Sequence, residues 1–162
     1  MYPWFVYLHI LGIFGFLLAH GASAAAAFAL RRERNLERVR VLLDLSTSTF
    51  GIMYASLGIL LLGGIISGFI GRWWGRGWIW VSLVLLVAIV AAMGSLGTRL
   101  YGEARRAAGL PYMVGGKPFP ATGTATPEEI DAALSRANPV LLTLIGFGGF
   151  AVAAWLMIFK PF

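Results

Sequence analysis

Four long apolar runs without a single Asp, Glu, Lys or Arg leave this chain few folds. They fall at about residues 3–30, 47–70, 78–97 and 140–159. A helix of about 20 apolar residues crosses a hydrocarbon core of about 30 Å. Within lipid every backbone N–H and C=O must be paired inside the protein, and a helix achieves this on its own. The expectation is therefore an all-α fold: an integral membrane four-helix bundle, one domain over residues 1–162, in contact with the lipid bilayer. Composition agrees, since 59% of the residues are hydrophobic and 12% charged, against about a quarter charged in soluble domains. A cleaved leader is not expected, because no basic residue precedes the first run and no cleavage site follows it.

The loops hold the charge. Arg31, Arg32, Arg34, Arg38, Arg40, Arg99, Arg105, Arg106, Lys117 and Arg136 lie in the first and third loops, against Arg72, Arg76 and Lys160 elsewhere. Ten cations to three predicts that these two loops are cytoplasmic and that both termini face outside a bacterial inner membrane. The net charge of +6 then reads as topogenesis and contact with anionic lipid, not as nucleic-acid binding. In the loop 98–138, Thr126-Pro127-Glu128-Glu129 has the form of a capping box and predicts a short amphipathic cytoplasmic helix. Ser46 to Thr49 is read as hydroxyl capping of the second span, and Gly64 with Gly68 as a GxxxG packing pair. The turn Gly71 to Trp80 holds four tryptophans and reads as an aromatic belt, with a docking quinone as the alternative.

Absent residue types narrow the chemistry. With no Cys, disulfides, thiolate metal sites, iron–sulfur clusters and covalently attached haem are excluded. All seven acidic residues lie outside the spans, which disfavours a carboxylate proton pump or an acid-pair hydrolase in the membrane.

The only two histidines, His9 and His20, both fall in the first span. Eleven residues apart, they lie about 20° from alignment and about 16 Å apart along a helix. An imidazole within the bilayer is a functional candidate by default, because an unpaired one is costly there. It is the usual axial ligand of haem iron and also binds copper and zinc. One metal cannot use both histidines, so two ligands mean two centres. The second ligand falls to Met, water or another subunit; Met53 and Met93 are expected near the depth of His20, and Met157 near that of His9. Gly12 and Gly21 beside the histidines are candidates for the close approach of a flat ligand.

The opening Tyr7-Leu8-His9-Ile10-Leu11-Gly12, with the small-residue helix and arginine-rich loop after it, resembles a group of small bacterial integral membrane proteins of unknown function. These are distantly similar to copper-resistance protein D-type membrane domains. The resemblance implies a multi-pass membrane protein with His9 at a metal or haem position. Three functions remain open: electron transfer by a protein binding haem b, a cofactor-free accessory subunit of a larger complex or homo-oligomer, and copper transport or tolerance.

Overall fold

The computed structural model describes residues 1–162. It is helical, and four stretches are long and apolar enough to cross a membrane: Tyr2–Leu30, Leu36–Ile70, Gly77–Ala107 and Pro127–Phe159. The first three are continuous helices, α1, α2 and α3. The fourth contains α4 (Pro127–Arg136), α5 (Pro139–Thr143), a π-helical turn over Leu144–Gly148 and α6 (Gly149–Phe159).

Helix α2 starts eleven residues before the apolar run does. Asn35 caps it, its side chain accepting from the Arg38 N–H at 3.2 Å. Ser46 to Thr49 therefore lie inside the helix and cap nothing, which corrects the sequence reading. The hydroxyls of Thr47, Ser48 and Thr49 turn back onto the helix, Thr47 donating to the Leu43 carbonyl at 3.0 Å and Thr49 to that of Ser46 at 2.7 Å, the usual resolution for such residues in a helix. The α1–α2 turn is closed by Glu33, whose carboxylate accepts from the backbone N–H groups of Asn35 at 2.9 Å and Arg34 at 3.0 Å. The Asn35 N–H foremost, then Arg34 and the charge of Arg38, hold this carboxyl below its ordinary value of 4.5. A carboxyl with a lowered folded value stabilises the turn above that ordinary value and loses the effect as pH falls through the lowered one. Protection of the Arg34 and Asn35 amides, taken relative to an intrinsic exchange rate that itself falls on acidification, should accordingly weaken as pH drops, and Glu33→Gln should remove that pH dependence.

The capping box forms as the spacing predicts. Thr126 accepts from the Glu129 N–H at 3.3 Å, and Glu129 accepts from the Thr126 N–H at 3.0 Å. Thr126→Ala should cost about 1 kcal/mol of α4 stability, measurable as faster hydrogen exchange over Pro127–Arg136. The segment before it holds a short hairpin: β1 (Tyr112–Val114) and β2 (Lys117–Phe119) pair antiparallel, Tyr112 opposite Phe119. Gly115 and Gly116, at φ 58° and 79°, make the two-residue turn that such a hairpin requires.

Two kinds of packing hold the molecule together. At the arginine-rich end a conventional core gathers Leu30, Val39, Leu43, Ala104, Ala108, Ile130, Ala133 and Leu134. It joins α1, α2 and α3 to α4. Deeper, one large side chain from each span, Phe16, Leu60, Ile89 and Phe150, forms a small central cluster. Glycines set the α1–α2 contact. A Cβ on Gly12 would lie 2.5 Å from the Leu60 nitrogen, and one on Gly63 2.7 Å from the His9 nitrogen. Close backbone approach is what drives helix association where lipid is as apolar as the side chains. Gly63 makes this approach, whereas Gly64 accommodates the His9 ring and Gly68 faces Trp74, so the expected GxxxG pair does not form a helix seam of its own. By contrast α2 and α3 barely touch.

At the opposite end the tryptophans close on the chain's last residues. Lys160 Nζ stands 4.8 Å over the Trp73 ring, and the Trp78 N–H donates to the Phe162 carbonyl at 3.3 Å.

Candidate cofactor cavity

Because α2 and α3 splay apart, a cavity of about 1020 Å³ opens between them, walled also by α1, the hairpin and the start of the fourth span. Ligand pockets commonly run from about 300 to 1,000 Å³, so the space suits a large small-molecule ligand. The α3 wall is a row at i, i+4 spacing, Ile89, Met93, Gly97, Tyr101 and Arg105. Met53, Leu57, Phe50 and Thr47 face it from α2; Phe16, His20, Ser23 and Ala27 come from α1.

His20 is 5% exposed, and its Nε2 is buried without a hydrogen-bond partner. The ring stacks on Phe16, with centroids 6.0 Å apart, and tilts against Phe147 at 5.0 Å. Its tip rests on Gly146 in the π-helical turn, where a Cβ would collide with Nε2 and lie 2.8 Å from Cε1. With the ring in this rotamer, a Cβ at position 146 has no room. π-Turns within helices are frequent at functional sites. The run Gly146-Phe147-Gly148-Gly149 is the sequence signal at this turn.

His9 lies elsewhere, outside the cavity, on the α1–α2 seam. Its Nδ1 is 2.7 Å from the Leu60 carbonyl. A carbonyl only accepts, so Nδ1 carries the proton and donates, and the lone pair is on Nε2. The histidines thus share α1 but engage different neighbours: His9 is tied to α2, and His20 faces the fourth span.

Met53 and Met93 line the same cavity as His20, from α2 and α3. Gly12 is occupied by the Leu60 backbone, and a Cβ on Gly21 would make an ordinary 3.7 Å contact with Phe147. No group of three or more His, Asp or Glu side chains gathers anywhere to hold a metal ion. Any metal here would rest on one imidazole and the thioethers.

The residue types at this cavity, an unpartnered buried imidazole and two methionines among apolar walls, are ones that a haem-type group can use. One adjustment is required. Since Nε2 abuts Gly146, ligation through that atom needs a different His20 rotamer.

The arginine-rich rim was not anticipated as part of a site. Arg105, 16% exposed, donates through Nη1 to Asp44 at 2.9 Å and Thr47 at 3.0 Å, and through Nε to the Pro111 carbonyl at 2.7 Å. One guanidinium thereby fastens α2, α3 and the hairpin over the cavity. Tyr101 also lines it, its hydroxyl buried and unpartnered. Set against family models, curated proteins and solved structures, this chain finds no match in any of the three.

Proposed function

We propose that this multi-pass membrane protein binds haem b within the bilayer and takes part in electron transfer, with His20 and Met93 or Met53 as the residues that would hold the group. The observation that supports this is the unpartnered His20 imidazole at the wall of a large apolar cavity. Leaving such a group unsatisfied costs about 1–3 kcal/mol, which a ligand to the ring would offset. Bound there, the haem iron would supply one-electron redox chemistry. The chain's own part is to hold the imidazole between Phe16 and Phe147, exclude water with apolar walls, and supply thioethers to the same cavity. In this reading His9 is a structural hydrogen-bond donor, so there is one centre rather than two. The arginine-rich end faces the cytoplasm, and both termini face outside the inner membrane, following the charge bias of the loops. Titration of the detergent-purified protein with haem should produce a Soret band saturating at one haem per chain; a preparation that stays colourless in excess haem would retire the proposal.

One observation favours a second reading, a cofactor-free subunit of a larger membrane complex. Gly51 and Gly58, seven residues apart on α2, have no neighbour within 4 Å of an added Cβ. Such an outward small-residue face suits a helix of another subunit. Co-purification of a partner that is lost in Gly51→Leu/Gly58→Leu and unchanged in His20→Ala would support this reading over the first.

A further inference from the structure

The β1–β2 hairpin points back at the membrane. At its base the Pro111 carbonyl accepts from Arg105 Nε at 2.7 Å. Two residues on, the Met113 carbonyl lies 3.0 Å from where a Cβ of Gly102 would stand. Helix α3 leaves the bilayer in the direction of Arg105, so β1 runs against it, from the level of Arg105 to that of Gly102. The strand rises about 3.3 Å per residue. Its continuation into the Gly115-Gly116 turn therefore descends by about four residues of α3 at 1.5 Å each, to the level of Thr98. Both glycines line the cavity together with Gly97 and Thr98, in agreement with that count. The third apolar run ends at Gly97, and the first charged residue after it is Arg99, so the tip lies where hydrocarbon gives way to headgroups.

What the hairpin exposes suits that depth. Met113, Val114 and Phe119 are 45%, 58% and 42% exposed. From Ala107 to Pro127 there is no acidic residue, and Lys117 is the only charge. Lys117 enters none of the ion pairs of the fold. Contiguous exposed apolar side chains mark a surface that meets a membrane or another protein, and at the end of a span the medium outside the bundle is lipid. A lysine there lays its stem along the acyl boundary and lifts its ammonium to anionic headgroups.

We infer that the hairpin is an interfacial wedge, with Met113, Val114 and Phe119 in the acyl boundary of the leaflet at the arginine-rich end and Lys117 on the phosphates of anionic lipid. The protein then meets the bilayer at a site beyond its four spans. That site adjoins the gap between α2 and α3, because the hairpin also walls the cavity. The contact does not depend on what the cavity holds.

The chain has no Cys, so Val114→Cys and Glu128→Cys each take one environment-sensitive fluorophore. Both positions are exposed, and thermal melts check that labelling leaves the fold intact. Glu128 is the aqueous control, eight residues or about 12 Å farther from the fourth span than Arg136 on α4. In nanodiscs of phosphatidylcholine and phosphatidylglycerol, the label at 114 should be quenched strongly by a nitroxide carried high on the lipid acyl chain. It should lose most of the iodide quenching seen at 128. Lys117→Glu should raise iodide quenching at 114 in these discs, and much less in discs of phosphatidylcholine alone. Iodide quenching at 114 equal to that at 128 overturns the inference. A label shielded from iodide yet untouched by the lipid nitroxide also overturns it, since that is the result for a second copy of the chain covering the hairpin. An unchanged profile in Lys117→Glu overturns the placing of Lys117 on the headgroups.

Discussion

Gly12→Leu should break the α1–α2 pair. A Cβ at this position would lie 2.5 Å from the Leu60 nitrogen, 2.8 Å from its Cα and 2.9 Å from its Cβ. These are backbone or near-backbone atoms, so no flexible side-chain end can give way. Overpacking costs about 1–3 kcal/mol and occasionally more, and this site belongs at the upper end because both helices must separate. Gly58→Leu on the same pair of helices meets open space and serves as the control. In a thermal or denaturant melt in mild detergent, the first variant should lose stability by about 3 kcal/mol and the second should match the wild type. Equal losses would mean that Gly12 is not at a tight crossing.

The second large effect separates the two histidines. His20→Leu removes a buried imidazole nitrogen without a partner, so the ligand-free protein should gain stability by up to about 1–3 kcal/mol, the usual penalty of an unsatisfied buried group. His9→Leu removes a donor to the Leu60 carbonyl and should cost about 1 kcal/mol, the net worth of one hydrogen bond. A ring retained at a stability cost is what a functional group looks like. Melts of the ligand-free variants give the sign directly, and a destabilised His20→Leu would show that this imidazole supports the fold.

How far these features are legible from residues alone depends on the length scale of the force involved. Lipid imposes a requirement over some 20 consecutive residues, so the four spans stand out in the apolar runs. The capping box at Thr126 is complete within four residues and reads equally well. Helix ends outside the lipid are less sharply marked: the arginine-rich stretch Arg31 to Arg40 reads as continuing helix, whereas α1 ends at Leu30 and α2 begins at Leu36 under the Asn35 cap. The hydroxyls of Thr47 and Thr49 mislead for a related reason, since within a helix they are satisfied by carbonyls three and four residues back. The hairpin had a local signal in Gly115-Gly116, overlooked because its strands are only three residues each.

The candidate site was legible only by residue type. Two intramembrane histidines and a scarcity of other ligands pointed at α1, and depth arithmetic placed Met53 and Met93 beside His20. What separates His20 from His9 is tertiary: a backbone carbonyl 2.7 Å from one ring, and a glycine in a π-turn against the other. Both partners are tens of residues away in sequence, or more. Tyr101 and Arg105 join the rim because the helical row through Met93 and Gly97 continues beyond the lipid; the residues from Leu100 on read as a helical continuation, but nothing local marks it as the wall of a cavity.

The central claim is that His20, and not His9, carries the cofactor. Reduced-minus-oxidised difference spectra of the haem-loaded wild type, His20→Ala and His9→Ala, at equal protein concentration, test it most directly. The account predicts that the wild-type bands vanish in His20→Ala and persist at full intensity in His9→Ala. Bands that survive in His20→Ala, or that are lost only in His9→Ala, would contradict it.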